Sequence, residues 1–325
     1  MIISKACMAP SGLSRPPESR LIDTDMHTHL DCIPCIVRQS LATARFVTDD
    51  PATQEAILRR MLHGASTMNL EDTPPKMARI LQQTILEMTG VYDPYQEMKH
   101  QFNQFALAMQ SELEAITAAA ADPFEMAVRL AIAGNIIDFG AIESVDSGMV
   151  HRAIDESRRD PIDTHAIAAL GEASTQARTI LFLGDNCGEI VFDQLLLRRM
   201  PLEKITYVVK GGPCINDATM EDAEETGLCQ LLPVISNGLD APGTILEDCS
   251  PEFQARFHAA DLIVAKGQAN YETLSHVEKS IFFILKAKCP VVARHLDAPL
   301  GGLVVKPTAL ATTRGQFTRS QVGAD

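Results

Sequence analysis

The chain has 325 residues, 46% of them hydrophobic, enough for one large or two modest domains with a sizeable core. Its formal net charge of −14, from 28 basic and 42 acidic residues, argues against nucleic acid or anionic lipid as the main partner. No apolar run reaches the ~18 residues of a membrane span, and residues 1–25 lack the apolar core of a signal peptide.

These features lead us to expect a cytoplasmic protein whose eight cysteines are reduced thiols. Residues 1–25 read as a disordered leader, and Met26 is a candidate start because patterned sequence begins there. The intact mass of the native protein decides between Met1 and Met26. Residues 26–175 read as a helical domain. Ile33, Ile36, Val37, Leu41 and Ala44 follow helical spacing. A second helix runs from Thr53 to Leu62 behind Asp49-Asp50-Pro51. A third opens at Pro74-Pro75 and closes on Gly90, and further helices are expected over 94–120 and 123–138.

The pattern then changes. RTILFLG (178–184), ITYVVKG (205–211), LLPVIS (231–236), LIVAKG (262–267) and IFFILK (281–286) are short apolar runs, mostly separated by helical segments. Such alternation implies a mainly parallel sheet covered on both faces. The expected fold class is α/β: a helical N-terminal region, then a three-layer α/β/α Rossmann-like domain over 176–306. Residues 307–325 read as a polar tail without assigned structure.

In open α/β sheets, ligands bind beyond the carboxyl ends of the strands. The first expected strand runs into GDNCGEIVFD (184–193), the second into Lys210-Gly211-Gly212-Pro213 and then Asn216-Asp217, and the fourth into Lys266-Gly267-Gln268. Hard divalent cations take oxygen ligands, which Asp185, Asn186 and Asp217 supply. Gly188 permits close backbone approach, the helix starting near Glu189 points N–H groups at an anion, and Lys266 offers a point charge suited to phosphate. The same Asp and Asn residues also suit helix caps and turns, and both readings stand on pattern alone.

LGDNCGEIVFDQLLL, KGGPCINDATMEDAEETG and AKGQANYETL resemble three motifs of the domain-of-unknown-function family 89, the damage-control phosphatases, also labelled acidic-residue-methyltransferase-like. DCIPCIVRQSL and RLAIAGNIIDFG resemble the Cys-x-x-Cys-bearing prokaryotic branch of that family. The resemblance covers roughly residues 30 to 305. It implies metal-dependent hydrolysis of small phosphorylated metabolites, such as sugar phosphates or damaged and side-product phosphates. Carried over by motif, Asp185, Asn186 and Asp217 are the metal ligands, with Mn, Mg, Co or Ni all admissible. Lys266 contacts phosphate, Asn135 and Asp138 face the same cleft, and Glu189 is a weaker candidate. The competing functions are an S-adenosylmethionine-dependent carboxyl methyltransferase and a non-catalytic metal or redox protein centred on Cys32 and Cys35.

The segment Asp25-Met26-His27-Thr28-His29 looks like the first strand of an amidohydrolase barrel, but no strand is expected before residue 178, so no barrel can form around it. Cys32-Ile33-Pro34-Cys35 admits a redox pair, half of a thiolate metal site, or two small buried helix residues.

Overall fold

The helices begin where short polar side chains and prolines set their first turns. In the computed structural model, described for residues 26–136 and 147–312, α1 spans Cys32–Val47, α2 Pro51–Thr67 and α3 Pro74–Thr89. Asp50 caps α2 by accepting from the Thr53 amide, with Pro51 in the first turn, where no N–H is needed. Gly90, at φ 71°, ends α3 in the left-handed conformation that glycine adopts without a Cβ penalty. Then follow α4 (Gln96–Ala119), α5 (Pro123–Ala133), α6 (Ser147–Ser157) and α7 (Thr164–Gln176).

The helix expected over 123–138 stops at Ala133 and tightens into a 3-10 turn over Gly134–Ile136. A Cβ on Gly134 would lie 2.9 Å from Phe192, so the turn passes against the neighbouring helix. Asp138 lies outside the described residues.

The strands are β1 (Ile180–Leu183), β2 (Ile205–Val209), β3 (Val234–Ser236), β4 (Leu262–Lys266), β5 (Ile281–Lys286) and β6 (Leu303–Pro307), in the order β3-β2-β1-β4-β5-β6. The first five are parallel, and β6 returns antiparallel to β5. The sequence reading passed over β6. Its apolar part is only Leu303-Val304-Val305, and as an edge strand it turns Lys306 to solvent.

Between the strands lie α8 (Glu189–Leu197), α9 (Met220–Glu225), α10 (Leu228–Leu231), α11 (Pro251–Ala259), α12 (Gln268–Leu274) and α13 (Pro290–Leu296). Alternate strand residues point to opposite faces. Ile180, Phe182, Tyr207, Val264 and Ile284 join one core with residues of α4, α5, α7 and α8, including Leu113, Leu130, Leu170 and Phe192. Leu181, Leu183, Ile263, Phe283 and Leu285 join a second core with Phe253, Phe257, Tyr271, Leu274 and Val292 of α11–α13. Helices α1–α3 share a smaller core around Ile57, Met61 and Ile85.

Strand order places β2 on one side of β1 and β4 on the other, so the crossover direction reverses at β1 and β4. That switch point opens a crevice at the carboxyl ends of these two strands. Asp185 follows β1 there, and Gly267 follows β4.

Candidate functional site at the sheet switch point

Backbone pairing joins the two loops. Asn186 and Asp217 form an isolated antiparallel bridge. The Cys187 amide donates to the Asn216 carbonyl at 2.8 Å, and the Ala218 amide to the Asp185 carbonyl at 2.8 Å. The bridge holds Asp185, Asn186 and Asp217 in one neighbourhood, the grouping expected from their strand-end positions. Gly188, at φ 66°, starts α8, and its amide donates to Asn103 Oδ1 at 2.7 Å. The Glu189 amide donates to the Cys187 carbonyl at 2.6 Å. These two amides, at a helix end expected to face an anion, therefore already serve protein acceptors.

Asn135 reaches in from the turn after α5. Its Nδ2 donates to Asp185 Oδ2 at 2.6 Å and to Glu189 Oε2 at 2.5 Å. Asn186 Nδ2 donates to the same two oxygens at 2.9 and 3.1 Å. Two amides thus hold two carboxylates side by side, both buried along with Asp217. Asp217 Oδ2 accepts no well-aligned hydrogen bond, and its near neighbour is the Lys210 ammonium at 3.3 Å. Burial raises the Asp185 pKa well above the ordinary carboxylate range, with Glu189 and Asp217 adding to the shift and Lys210 and Lys288 opposing it. Burial also pushes Asp217 up to about 6, against the pull of Lys210. Carboxylates clustered in this way raise one another's pKa, because each disfavours a second negative charge beside it.

Lys266 lies beneath the site. It is 0% exposed, and its ammonium donates to the Ala131 carbonyl at 3.0 Å, to Glu189 Oε1 at 2.6 Å and to Asp193 Oδ1. A lysine has three N–H donors, so all are engaged. Burial works to lower the Lys266 pKa, but Asp193 and Glu189 outweigh it and the net shift is upward. Tyr207 Oη completes the network by donating to Asp193 Oδ2 at 2.8 Å. The side chain expected to meet phosphate is instead the anchor of Glu189.

Sequence reasoning gave no role to Asp193, Tyr207 or Lys288, and met Lys210 only as the strand-end residue before Gly211-Gly212-Pro213. Asp193 had left a signal: it stands four residues after Glu189 in EIVFDQLLL, a helix otherwise apolar enough to be buried all round. Lys288 follows β5 and acts electrostatically on Asp185, which no local pattern reveals.

Gly267 fixes how closely β4 approaches the site. Its φ is 79°, and a Cβ there would fall 1.9 Å from Asp185 Oδ2. Gly267→Ala should therefore displace Asp185 and strain the backbone, lowering both the unfolding midpoint and the affinity for divalent cation. Calorimetric titration of the variant checks this, and wild-type affinity would show that Gly267 does not set the position of Asp185.

Glu272, one turn into α12, is buried beside Gln268, which donates to it at 2.9 Å. Burial pushes its carboxyl from 4.5 up to about 7, against that hydrogen bond. The folded chain therefore binds this proton more tightly than the unfolded chain. The resulting stability is fully present below about pH 4.5 and is lost as pH rises through 7. Glu272→Gln should match the wild type near pH 4.5 and exceed it at pH 8, by up to about 3 kcal/mol. Urea unfolding at the two pH values measures this, and equal differences at both would contradict it.

The fold and the site together define a Rossmann-like protein with a carboxylate-rich, oxygen-donor site at the switch point of its sheet. A family model described as the damage-control phosphatase ARMT1-like domain matches residues 28–304. A damage-control phosphatase of Pyrococcus horikoshii is 34% identical over 284 residues, covering 86% of this chain and 97% of that protein. One from Archaeoglobus fulgidus is 33% identical over 291 residues, covering 85% and 97%. The crystal structure of a domain-of-unknown-function 89 protein from P. horikoshii matches with a TM-score of 0.78 at 33% identity, covering 87% of this chain and 99% of that one. The chain belongs to the damage-control phosphatase ARMT1-like family. Among the described residues no helix is long and apolar enough to cross a membrane.

Proposed function

We propose that this protein is a divalent-metal-dependent phosphatase acting on small phosphorylated metabolites, sugar phosphates or damaged and side-product phosphates, in the cytoplasm. The observation that carries the reading is the backbone bridge that sets Asp185 and Asn186 beside Asp217 at the switch point. Relatives named as damage-control phosphatases support the reaction class.

The donor set fits a hard cation: two carboxylates and an amide, with one buried oxygen of Asp217 accepting no well-aligned hydrogen bond. The proposed ligand set adds the amide of Asn186 to the carboxylates of Asp185 and Asp217; among the described residues, no group of three or more His, Cys, Asp or Glu side chains is placed to hold a metal. Asn186 would ligate through Oδ1, the end of its amide opposite the Nδ2 that faces Asp185 and Glu189. When bound, the cation would supply Lewis-acid polarisation of the phosphoryl group. Asp185 or Asp217 would position the attacking water, while Asn135 and Lys266 hold Asp185 and Glu189 in place. A cleft of about 450 Å³ lined by Lys210, Tyr92, Asp93, Gly212 and Thr219 is large enough for a small metabolite and meets the carboxylates through Lys210, which lies 3.3 Å from Asp217.

The methyltransferase reading is not favoured, because the β1 loop presents Asp185 and Asn186 where S-adenosylmethionine would want glycine-rich backbone. A screen of phosphorylated metabolites with different divalent cations tests the proposal. Methyl transfer without phosphate release would overturn it.

A further inference from the structure

Cys32 and Cys35 take no part in the carboxylate site. They occupy the first turn of α1, where Cys32 is half-buried and Cys35 is exposed, so the reading as two buried packing residues does not hold for Cys35. The entry to the helix is tight: the Cys32 amide donates to the His29 carbonyl at 2.9 Å and the Ile33 amide to Leu30 at 3.2 Å. Residues three apart on a helix carry Cβ atoms about 5–6 Å apart, and a disulfide needs about 3.8 Å. A small closure of the first turn joins the two sulfurs, and a helix end has few internal hydrogen bonds to lose.

Surrounding contacts hold this turn against the rest of the fold. Cys32 packs on the α1–α3 core and also on the α11–α13 core, where Cys289 packs too. Asp31 pairs with Arg294 of α13 at 3.3 Å. Burial raises the Cys32 pKa, a backbone hydrogen bond at His29 opposes it, and Glu272, Cys289 and Cys35 add to it. Three thiols thus share one neighbourhood.

We propose that Cys35 and Cys32 form a dithiol–disulfide exchange site for low-molecular-weight disulfides. The Cys35 thiolate attacks one sulfur of the small disulfide, breaks its S–S bond and releases one thiolate, leaving a mixed disulfide on Cys35. Cys32 gives its proton to solvent, attacks the Cys35 sulfur and expels the second thiolate. The protein loses two electrons and two protons, and the small disulfide is reduced to two thiols. Solvent exposure makes Cys35 the attacking member, and Cys32, set in the same turn, resolves it.

The test treats the full-length protein with oxidised glutathione, then alkylates, digests and maps by mass. The expected product has a Cys32–Cys35 bridge, a mass lower by two hydrogens, and no modification at buried Cys187, Cys214 or Cys249. Cys32→Ser should instead accumulate the mixed disulfide on Cys35. A wild type that stops at the mixed disulfide, a bridge that maps to Cys289, or a metal that shields both thiols would each overturn the proposal. If the variant does not fold, the wild-type map decides alone. The readout is independent of phosphatase activity.

Discussion

Asp185→Asn should lower metal-dependent phosphate release by about a hundred-fold or more while the protein stays folded. The substitution keeps the side-chain shape and still offers an oxygen to the Asn135 and Asn186 amides, which donate to it at 2.6 and 2.9 Å. It removes one of three buried carboxylates that repel each other, Asp185, Glu189 and Asp217. Without added cation, the variant should therefore unfold at equal or higher urea than the wild type. Lower activity with retained or increased stability is the signature of a group placed for function at a cost to the fold. Steady-state kinetics and urea unfolding on the same preparation check both halves. Activity equal to wild type would remove Asp185 from the reaction.

Lys266→Met should do the opposite, costing stability first. The ammonium is 0% exposed and neutralises Glu189 and Asp193, each 1% exposed or less. Removing one partner from a buried ion network leaves uncompensated charge and costs about 3–5 kcal/mol. Adding Asp193→Asn should recover part of the loss, because one stranded carboxylate disappears. In kinetics, kcat should fall more than KM rises, since Glu189 loses its anchor but no phosphate contact is lost. A raised KM with an unchanged unfolding midpoint would return Lys266 to the phosphate.

The two cases show what local pattern reveals. Strand ends are legible because apolar runs stop at Gly184, Lys210 and Gly267, and parallel sheets bind ligands at such ends. Asp185, Asn186 and Asp217 could therefore be grouped before any geometry was known. Whether a charged residue lines the cleft or lies beneath it depends on the burial of its whole side chain. Lys266 illustrates this, since its last strand position looks the same from either side. The packing of α4, α5, α7 and α8 onto one face of the sheet was similarly hidden: helical periodicity marks an apolar face but not the partner it covers. The edge strand β6 escaped because three apolar residues carry too little pattern to separate a strand from a loop.

If the proposed function holds, the oxygen cluster at the switch point works through a divalent cation. The direct measurement is phosphate release by chelator-treated wild-type protein, before and after titration with Mn, Mg, Co or Ni. Release should be negligible after chelation and recover saturably with at least one cation, with Asp217→Asn weakening the cation's apparent affinity. Undiminished phosphate release in excess chelator, or recovery that Asp217→Asn leaves unchanged, would contradict the proposed function.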